Sequence, residues 1–267
     1  LQPLRAGARR RAAMTRRWAL RARLDFDDWR SGRRDPLVPP RRLGLASQIV
    51  GVGERVSEML IERGSLAPDG AVLDMGCGPG RTAAPLTRYL TPAGRYEGFD
   101  VDPRSIAWCR KAITPRFPNF NFQVADVHNG QYNPGGTQPA CGYTFPYEDG
   151  TFDAAVAVSL STHLRPFEGE RYLAEAARTL RPGGRLIATW YLLNDEAERA
   201  LEEGRVLRPG LFTEDRPPMR LEHRLVDERG NPFRSYDPDV PEHMIAVDED
   251  LVRAQYERAG LEIVEVI

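Results

Sequence analysis

The sequence predicts an α/β fold, a doubly wound and mostly parallel sheet, and three observations carry that reading. Apolar, strand-like runs alternate with helix-period segments from residue 71 onward. Pro182-Gly183-Gly184 turns one of those helices back into a strand. A length of 267 residues suffices for one full core with an appendage. Hydrophobic content of 41% and charged content of 28% are those of an ordinary globular chain, and no apolar run approaches the ~20 residues of a membrane helix. Cys77, Cys109 and Cys141 are scattered, with no CxxC pair, which argues against a disulfide framework or a structural zinc site. With no secretory leader in the sequence either, a cytoplasmic protein is expected.

The elements follow in order. Ile49, Val50, Val56, Met59 and Leu60 recur at helical period between Ser47 and Arg63, with Gly64 as the stop. Strands are expected at 71–75, 96–100, 120–124, 152–159, 185–191 and 261–267, and helices at 81–90, 103–113, 168–180 and 248–259. Two segments break the alternation: a Gly/Pro- and aromatic-rich loop at 127–150, and residues 201–247, which contain an apparent hairpin turning at Gly230-Asn231-Pro232. Both are long enough to serve as lids. The expected organisation is an Arg/Pro-rich arm (1–47) and one α/β domain (48–267) carrying a lid or substrate insertion at 201–247. Ligands of such sheets bind beyond the C-terminal strand ends, near the point where strand order reverses.

The stretch AVLDMGCGPGRT (71–82) is a strand, a glycine turn and the start of a helix, a geometry that brings backbone close to a ligand. A phosphate-binding P-loop would end in Gly-Lys-Ser/Thr, whereas Gly80-Arg81-Thr82 lacks the Lys and the spacing. A dinucleotide loop would read GxGxxG, whereas this one reads GxGxG. Asp74 precedes the first glycine; a carboxylate there repels a pyrophosphate but suits an ammonium or sulfonium. Asp100 closes the second strand, 24 residues after Gly76, where an acid accepts from ribose hydroxyls. Asp126 follows the third strand, where a carboxylate accepts from an adenine amino group. Together they outline a nucleoside joined to an amino-acid tail, without phosphate.

These residues resemble the class I S-adenosylmethionine (SAM)-dependent methyltransferases. The matching stretches are VLDMGCGPGR (72–81), YEGFDVD (96–102), VADV (124–127), GTFDAAVAVS (150–159) and LRPGGRLIAT (180–189), in the family's order and spacing. The resemblance implies a Rossmann-like sheet of seven strands with SAM bound over the first four. It implies that Asp74, Gly76, Gly78 and Gly80 face the methionine part, Asp100 and Val101 the ribose, and Asp126 and Val127 the adenine, with Ser159 at the fourth strand end. The family's antiparallel seventh strand has no counterpart after 261–267, so either a further tail supplies it or the hairpin at 220–236 substitutes.

Methyl transfer to a hydroxyl needs the proton removed, so a base belongs just beyond the fourth strand. His163 in SLSTHL is the expected catalytic base; His128, His223 and His243 rank behind it. A lone His there also serves as a core hydrogen-bonding residue. Tyr132, Tyr143, Phe145, Tyr147, Trp190 and Tyr191 are expected around the strand ends, and such faces suit a sugar or a planar ring. YNPGG, FPYEDGTFD and SxxTHL, with Trp108-Cys109, resemble a bacterial subgroup associated with polysaccharide and glycolipid biosynthesis. That resemblance puts a sugar hydroxyl first. It also raises Mg²⁺ as a cofactor, with Glu148, Asp149, Asp153 and Glu168 as oxygen ligands, though no ligand-spaced cluster commits to one.

Charge supplies the competing readings. Residues 1–42 hold thirteen Arg against four Asp, a local +9, which leaves −10 for the remainder of a chain of net charge −1. The plain reading is a solvated arm in a chain with a single lysine, Lys111. The sharper one is a grip on RNA or protein, but the arm lacks the interleaved aromatics of nucleic-acid binders. Three functions therefore stand: a small-molecule or saccharide O-methyltransferase, including phenolic and quinone-like acceptors; a methyltransferase of RNA or protein; and a non-catalytic SAM-binding protein. A homo-oligomer stays open.

Overall fold

The computed structural model describes residues 46–205 and 221–267 and, before them, scattered residues between 23 and 43. The basic arm therefore lies almost wholly outside the described residues, as does 206–220 of the insertion. Helix α1 (Ala46–Glu62) buries Val52, Val56 and Leu60, one per turn, against the sheet. Its end is a tight cap in which the Arg63 and Gly64 amides share the Met59 carbonyl and Ser65 takes a left-handed φ of 53°. A Cβ on Gly64 would lie 2.5 Å from the Leu60 carbonyl oxygen, so the stop assigned to it is steric.

The central sheet holds β1 (Ala71–Met75), β2 (Arg95–Asp100), β3 (Phe120–Val124), β4 (Phe152–Ala157) and β5 (Leu180–Ala188) in the order β3-β2-β1-β4-β5, all parallel. Strand order reverses between β1 and β4, where Leu73 faces Glu97 on one side and Ala155 on the other. The interior of the sheet reads as continuous apolar runs because both faces are covered. On one face α1, α2 (Ala83–Leu86) and α3 (Pro103–Ala112) pack over Val72, Tyr96 and Phe120. On the other, α4 (Pro166–Thr179) packs over Leu73, Phe99 and Ala155.

Four expectations are corrected. The helix expected over 81–90 tightens after one turn, because Arg88 and Tyr89 bond only three residues back, to Pro85 and Leu86. The later part of the loop 127–150, residues 140–147, is packed where a lid was expected. Tyr143, Phe145 and Tyr147 are buried against Phe99, Phe152 and Tyr172, away from the strand ends to which the sequence assigned them. Such a loop survives in a core only if its backbone is satisfied. Here α4 does so: Glu175 accepts from the Phe145 amide (2.8 Å), while Arg178 and Arg171 donate to the carbonyls of Tyr147 (2.8 Å) and Tyr143 (3.0 Å).

The third and fourth corrections concern strand count. The central sheet has five strands where seven were expected, because 261–267 pairs with no strand among the described residues. That segment leaves Val264, Val266 and Ile267 exposed, with Glu265 paired to Arg63. The hairpin does not substitute in the central sheet. It builds a second sheet, β6-β9-β8-β7, from β6 (Leu192–Leu193), β7 (His223–Val226), β8 (Pro232–Ser235) and β9 (Ile245–Asp248). Its own small core of Phe233, Ile245 and Val247 and its pairing with β6 hold it there. Helices α5 (Asp195–Glu202) and α6 (Glu249–Arg258) flank it. The Asp227 carboxylate closes the β7–β8 turn by accepting from Arg229 and Asn231 amides, and accepts from the Phe167 amide at the start of α4 (3.1 Å).

Candidate active site

A cleft of about 1810 Å³ opens at the switch point and runs along β5 to the 261–267 segment. The glycine loop forms one wall, with Gly76, Gly78 and Gly80 all at positive φ (71°, 52° and 83°). Its amides point inward. Gly76 and Cys77 donate to the Phe99 carbonyl (2.9 and 3.0 Å), Gly78 to the Asp100 carboxylate (2.7 Å) and Gly80 to the Cys77 carbonyl (3.1 Å). Pro79 has none to give. These four N–H groups are thus spent on protein acceptors. Gly80 lies under the loop, where a Cβ would meet Ile113 Cδ1 at 2.7 Å and Cys109 Sγ at 3.2 Å.

The three acids differ in their surroundings. Asp74 is buried beneath the loop, bonded to the Tyr96 hydroxyl, and does not line the cleft. Burial pushes its carboxyl up to about 6, against the Tyr96 hydrogen bond and the Arg81 charge. Asp100 lines the cleft while accepting from the Gly78 and Asp102 amides (2.7 and 2.8 Å), and burial still raises its pKa. It ties the glycine loop to the end of β2. Asp126 is exposed and bonded to Thr137 through its amide (3.2 Å) and hydroxyl (2.5 Å), pinning the loop that follows. The cleft lining is taken up by Val101 and Val127.

Across the switch point, Ser159 adopts φ 57°, a strained conformation for a residue with a side chain. Its amide donates to Thr189 Oγ1 (2.7 Å), and its buried hydroxyl has no partner. His163 sits in the single turn Ser161–His163 and lines the cleft. Nδ1 lies 2.8 Å from the Glu242 carbonyl oxygen and Nε2 lies 3.3 Å from the Tyr132 hydroxyl, with the two rings edge to face at 4.9 Å. A carbonyl only accepts, so Nδ1 carries the proton and Nε2 keeps a lone pair in the neutral ring. His128, His243, Tyr132, Trp190 and Tyr191 share the lining; His223 does not. Tyr132 was expected as an aromatic wall, not as a partner of His163. Glu242 was not singled out at all, and 79 residues of separation leave no local signal for it.

The acids named for Mg²⁺ do not converge. Asp149 pairs with Arg178 (2.7 Å), Asp153 accepts from the Ala71 amide (2.6 Å), and Glu168 caps α4 at the Arg165 amide (2.8 Å). Among the described residues no group of three or more His, Cys, Asp or Glu is placed to hold a metal ion. This donor set does not fit a divalent cation.

A parallel sheet reversing at β1/β4, with a glycine turn and an acid at the end of β2 lining the cleft there, defines a Rossmann-like α/β protein with its cleft at the switch point. Residues 72–184 match the family model described as a methyltransferase domain. The phthiotriol/phenolphthiotriol dimycocerosates methyltransferase of Mycobacterium tuberculosis (strain ATCC 25177 / H37Ra) is 36% identical over 113 residues, 42% of this chain and 34% of that protein. Methyltransferase GfsG of Streptomyces halstedii is 29% identical over 157 residues, 57% and 50% of the two chains. The chain thus spans a third to a half of the length of these relatives. The crystal structure of the [4+2]-cyclase SpnF aligns with a TM-score of 0.50 and 21% identity over 79% of this chain and 58% of that one, a likeness of fold. No helix among the described residues is long and apolar enough to cross a membrane.

Proposed function

We propose that the protein is a SAM-dependent O-methyltransferase that methylates a hydroxyl of a small polyhydroxylated acceptor, a sugar or oligosaccharide first, with His163 as general base. SAM supplies a methyl group already activated on a sulfonium, so the protein's work is alignment and proton removal. Gly76 and Gly78 border the methionine part, Asp100 and Val101 the ribose and Val127 the adenine, and the partnerless Ser159 hydroxyl has a polar ligand group to meet. The acceptor hydroxyl takes the position of the Tyr132 hydroxyl against Nε2 of His163 and gives that nitrogen its proton. A C–O bond forms as the C–S bond breaks, and S-adenosylhomocysteine leaves.

The observation that carries this reading is the position of His163 in the cleft beside the glycine loop, with Nδ1 against the Glu242 carbonyl oxygen (2.8 Å) and Nε2 3.3 Å from the Tyr132 hydroxyl. The mycobacterial relative is named for methylating phthiotriol and phenolphthiotriol dimycocerosates, so hydroxylated lipids belong in the test. The experiment is methyl transfer from labelled SAM to mannose- and glucose-based oligosaccharides, hydroxylated lipids, phenols and bulk RNA, with wild type and His163→Gln. Label on a saccharide hydroxyl, lost in His163→Gln, supports the proposal. Label on RNA or a ring overturns the acceptor, and equal turnover by His163→Gln overturns the base.

A further inference from the structure

The His163 ring is held by a part of the molecule that contributes nothing to the glycine loop. The turn Pro241–His243 joins β8 to β9 in the second sheet and brings the Glu242 carbonyl to Nδ1 at 2.8 Å. That turn is itself fixed. The Ser235 hydroxyl donates to the Pro241 carbonyl (3.0 Å), and the buried Glu242 carboxylate accepts from Arg165 Nε (3.0 Å) and Nη2 (2.7 Å). Arg165 stands two residues after His163 and also pairs with Glu228 at the tip of the β7–β8 hairpin. Gly130 makes room on the remaining side: a Cβ there would lie 2.9 Å from Glu242 Oε2. Asn129 of the same loop donates to the His163 carbonyl (2.9 Å), so the main chain of the ring is fixed as well.

We propose that Glu242, clamped by Arg165, is a positioning residue that fixes the tautomer of His163, so that the second sheet sets the proton-accepting nitrogen of the cleft. The proposal rests on the reading of His163 as base for its consequence, though not for its geometry. An imidazole free of such a contact distributes its proton between both nitrogens, and every molecule with Nε2 protonated is unable to accept from an acceptor hydroxyl. Arg165 presents two N–H groups to one carboxylate oxygen, a constraint Lys does not reproduce. Removing the Glu242 side chain leaves its carbonyl in the chain but removes what aims it.

The test uses the full chain labelled with ¹⁵N-histidine, read by long-range ¹H–¹⁵N correlation above the titration of His163, with His163→Gln assigning its signals. Wild type is expected to show Nδ1 protonated and Nε2 unprotonated. Glu242→Ala and Arg165→Met are expected to lose that fixed pattern and give exchange-averaged shifts, while the signals of His223 on β7 stay in place and report an intact second sheet. Arg165→Lys serves if either variant fails to fold, with the same averaging expected. An Nε2-protonated wild type, or a fixed Nδ1–H pattern that persists in the folded variants, overturns the proposal. The readout needs no acceptor, so it is separate from the base reading: a fixed tautomer with full turnover in His163→Gln would sink the base and leave the positioning intact.

Discussion

The two walls of the cleft are built in different ways. The glycine-loop wall comes from strand ends adjacent in the sheet: Gly76 and Cys77 bond to Phe99, and Gly78 to Asp100, all within one β-turn-α-β unit. The opposite wall joins three distant segments, with Tyr132 from the loop after β3, His163 from the turn after β4 and Glu242 from the second sheet. The first wall depends on local backbone geometry and the second on how two sheets dock; on the proposed function, substitutions in the first should act on affinity and those in the second on proton transfer. A nucleoside site can be shared by many proteins of one fold, whereas the acceptor side is set by whatever is docked against it.

The largest expected effect breaks that division at its centre. His163→Gln should lower turnover by about 10²–10⁴-fold, the usual contribution of a general base, with SAM affinity by calorimetry unchanged. A parallel loss of SAM affinity would mean that the two walls are not separable.

Asp74→Asn comes next and acts on the buried underside of the first wall. The folded pKa of Asp74, about 6, lies above its ordinary 3.8, so the folded state holds the proton more tightly than the unfolded one. Below pH ~4 both states are protonated and nothing is lost; between pH ~4 and ~6 stability falls as pH rises, and above that the cost is constant. Asp74→Asn should therefore stabilise the unliganded protein at pH 8 by on the order of 2–3 kcal/mol, and have little effect at pH 3.5. Urea titrations at the two pH values measure it; equal shifts at both would contradict the burial argument. Glu168, pushed up to about 7 by burial, adds a slope of the same sign that continues about one unit further and survives in the variant.

Asp100→Ala should weaken SAM binding by about 1.5–3 kcal/mol, because a charge-assisted hydrogen-bond set is removed. Part of that loss comes from the Gly78 and Asp102 amides, which lose their acceptor. Unchanged affinity in calorimetry would remove Asp100 from the ribose site. The smallest effect sharpens the second wall: Tyr132→Phe keeps the edge-to-face ring on His163 and removes only the hydroxyl, so turnover should change by less than about tenfold, about 1 kcal/mol. A drop as large as that of His163→Gln would make Tyr132 a full partner in proton transfer.

Much of the fold was legible because its signals are short-range. The strands at 71–75 and 120–124 follow from the apolar run and its turn residues with no outside help, and the sheet observed has them at those residues. The expected strand at 261–267 reads equally well as Leu-Glu-Ile-Val-Glu-Val-Ile, yet it is unpaired, because a strand exists only where an edge accepts it. Tyr143, Phe145 and Tyr147 looked like a ligand wall by composition; the carboxylate and guanidinium groups of Glu175, Arg178 and Arg171 make them core by satisfying their backbone.

What the sequence by itself determined is the β1 glycine turn, the acid at the end of β2 and the His after β4, since each needs only a strand, a turn and a residue type a few positions apart. What only the tertiary structure decided is which side of each group does the work. The loop amides turn inward, Asp74 lies under the loop, and the Glu242 carbonyl takes Nδ1 of His163 so that Nε2 faces the cleft. Hydrogen-bond direction depends on the partner across the contact, and for His163 that partner lies 79 residues away on a second sheet.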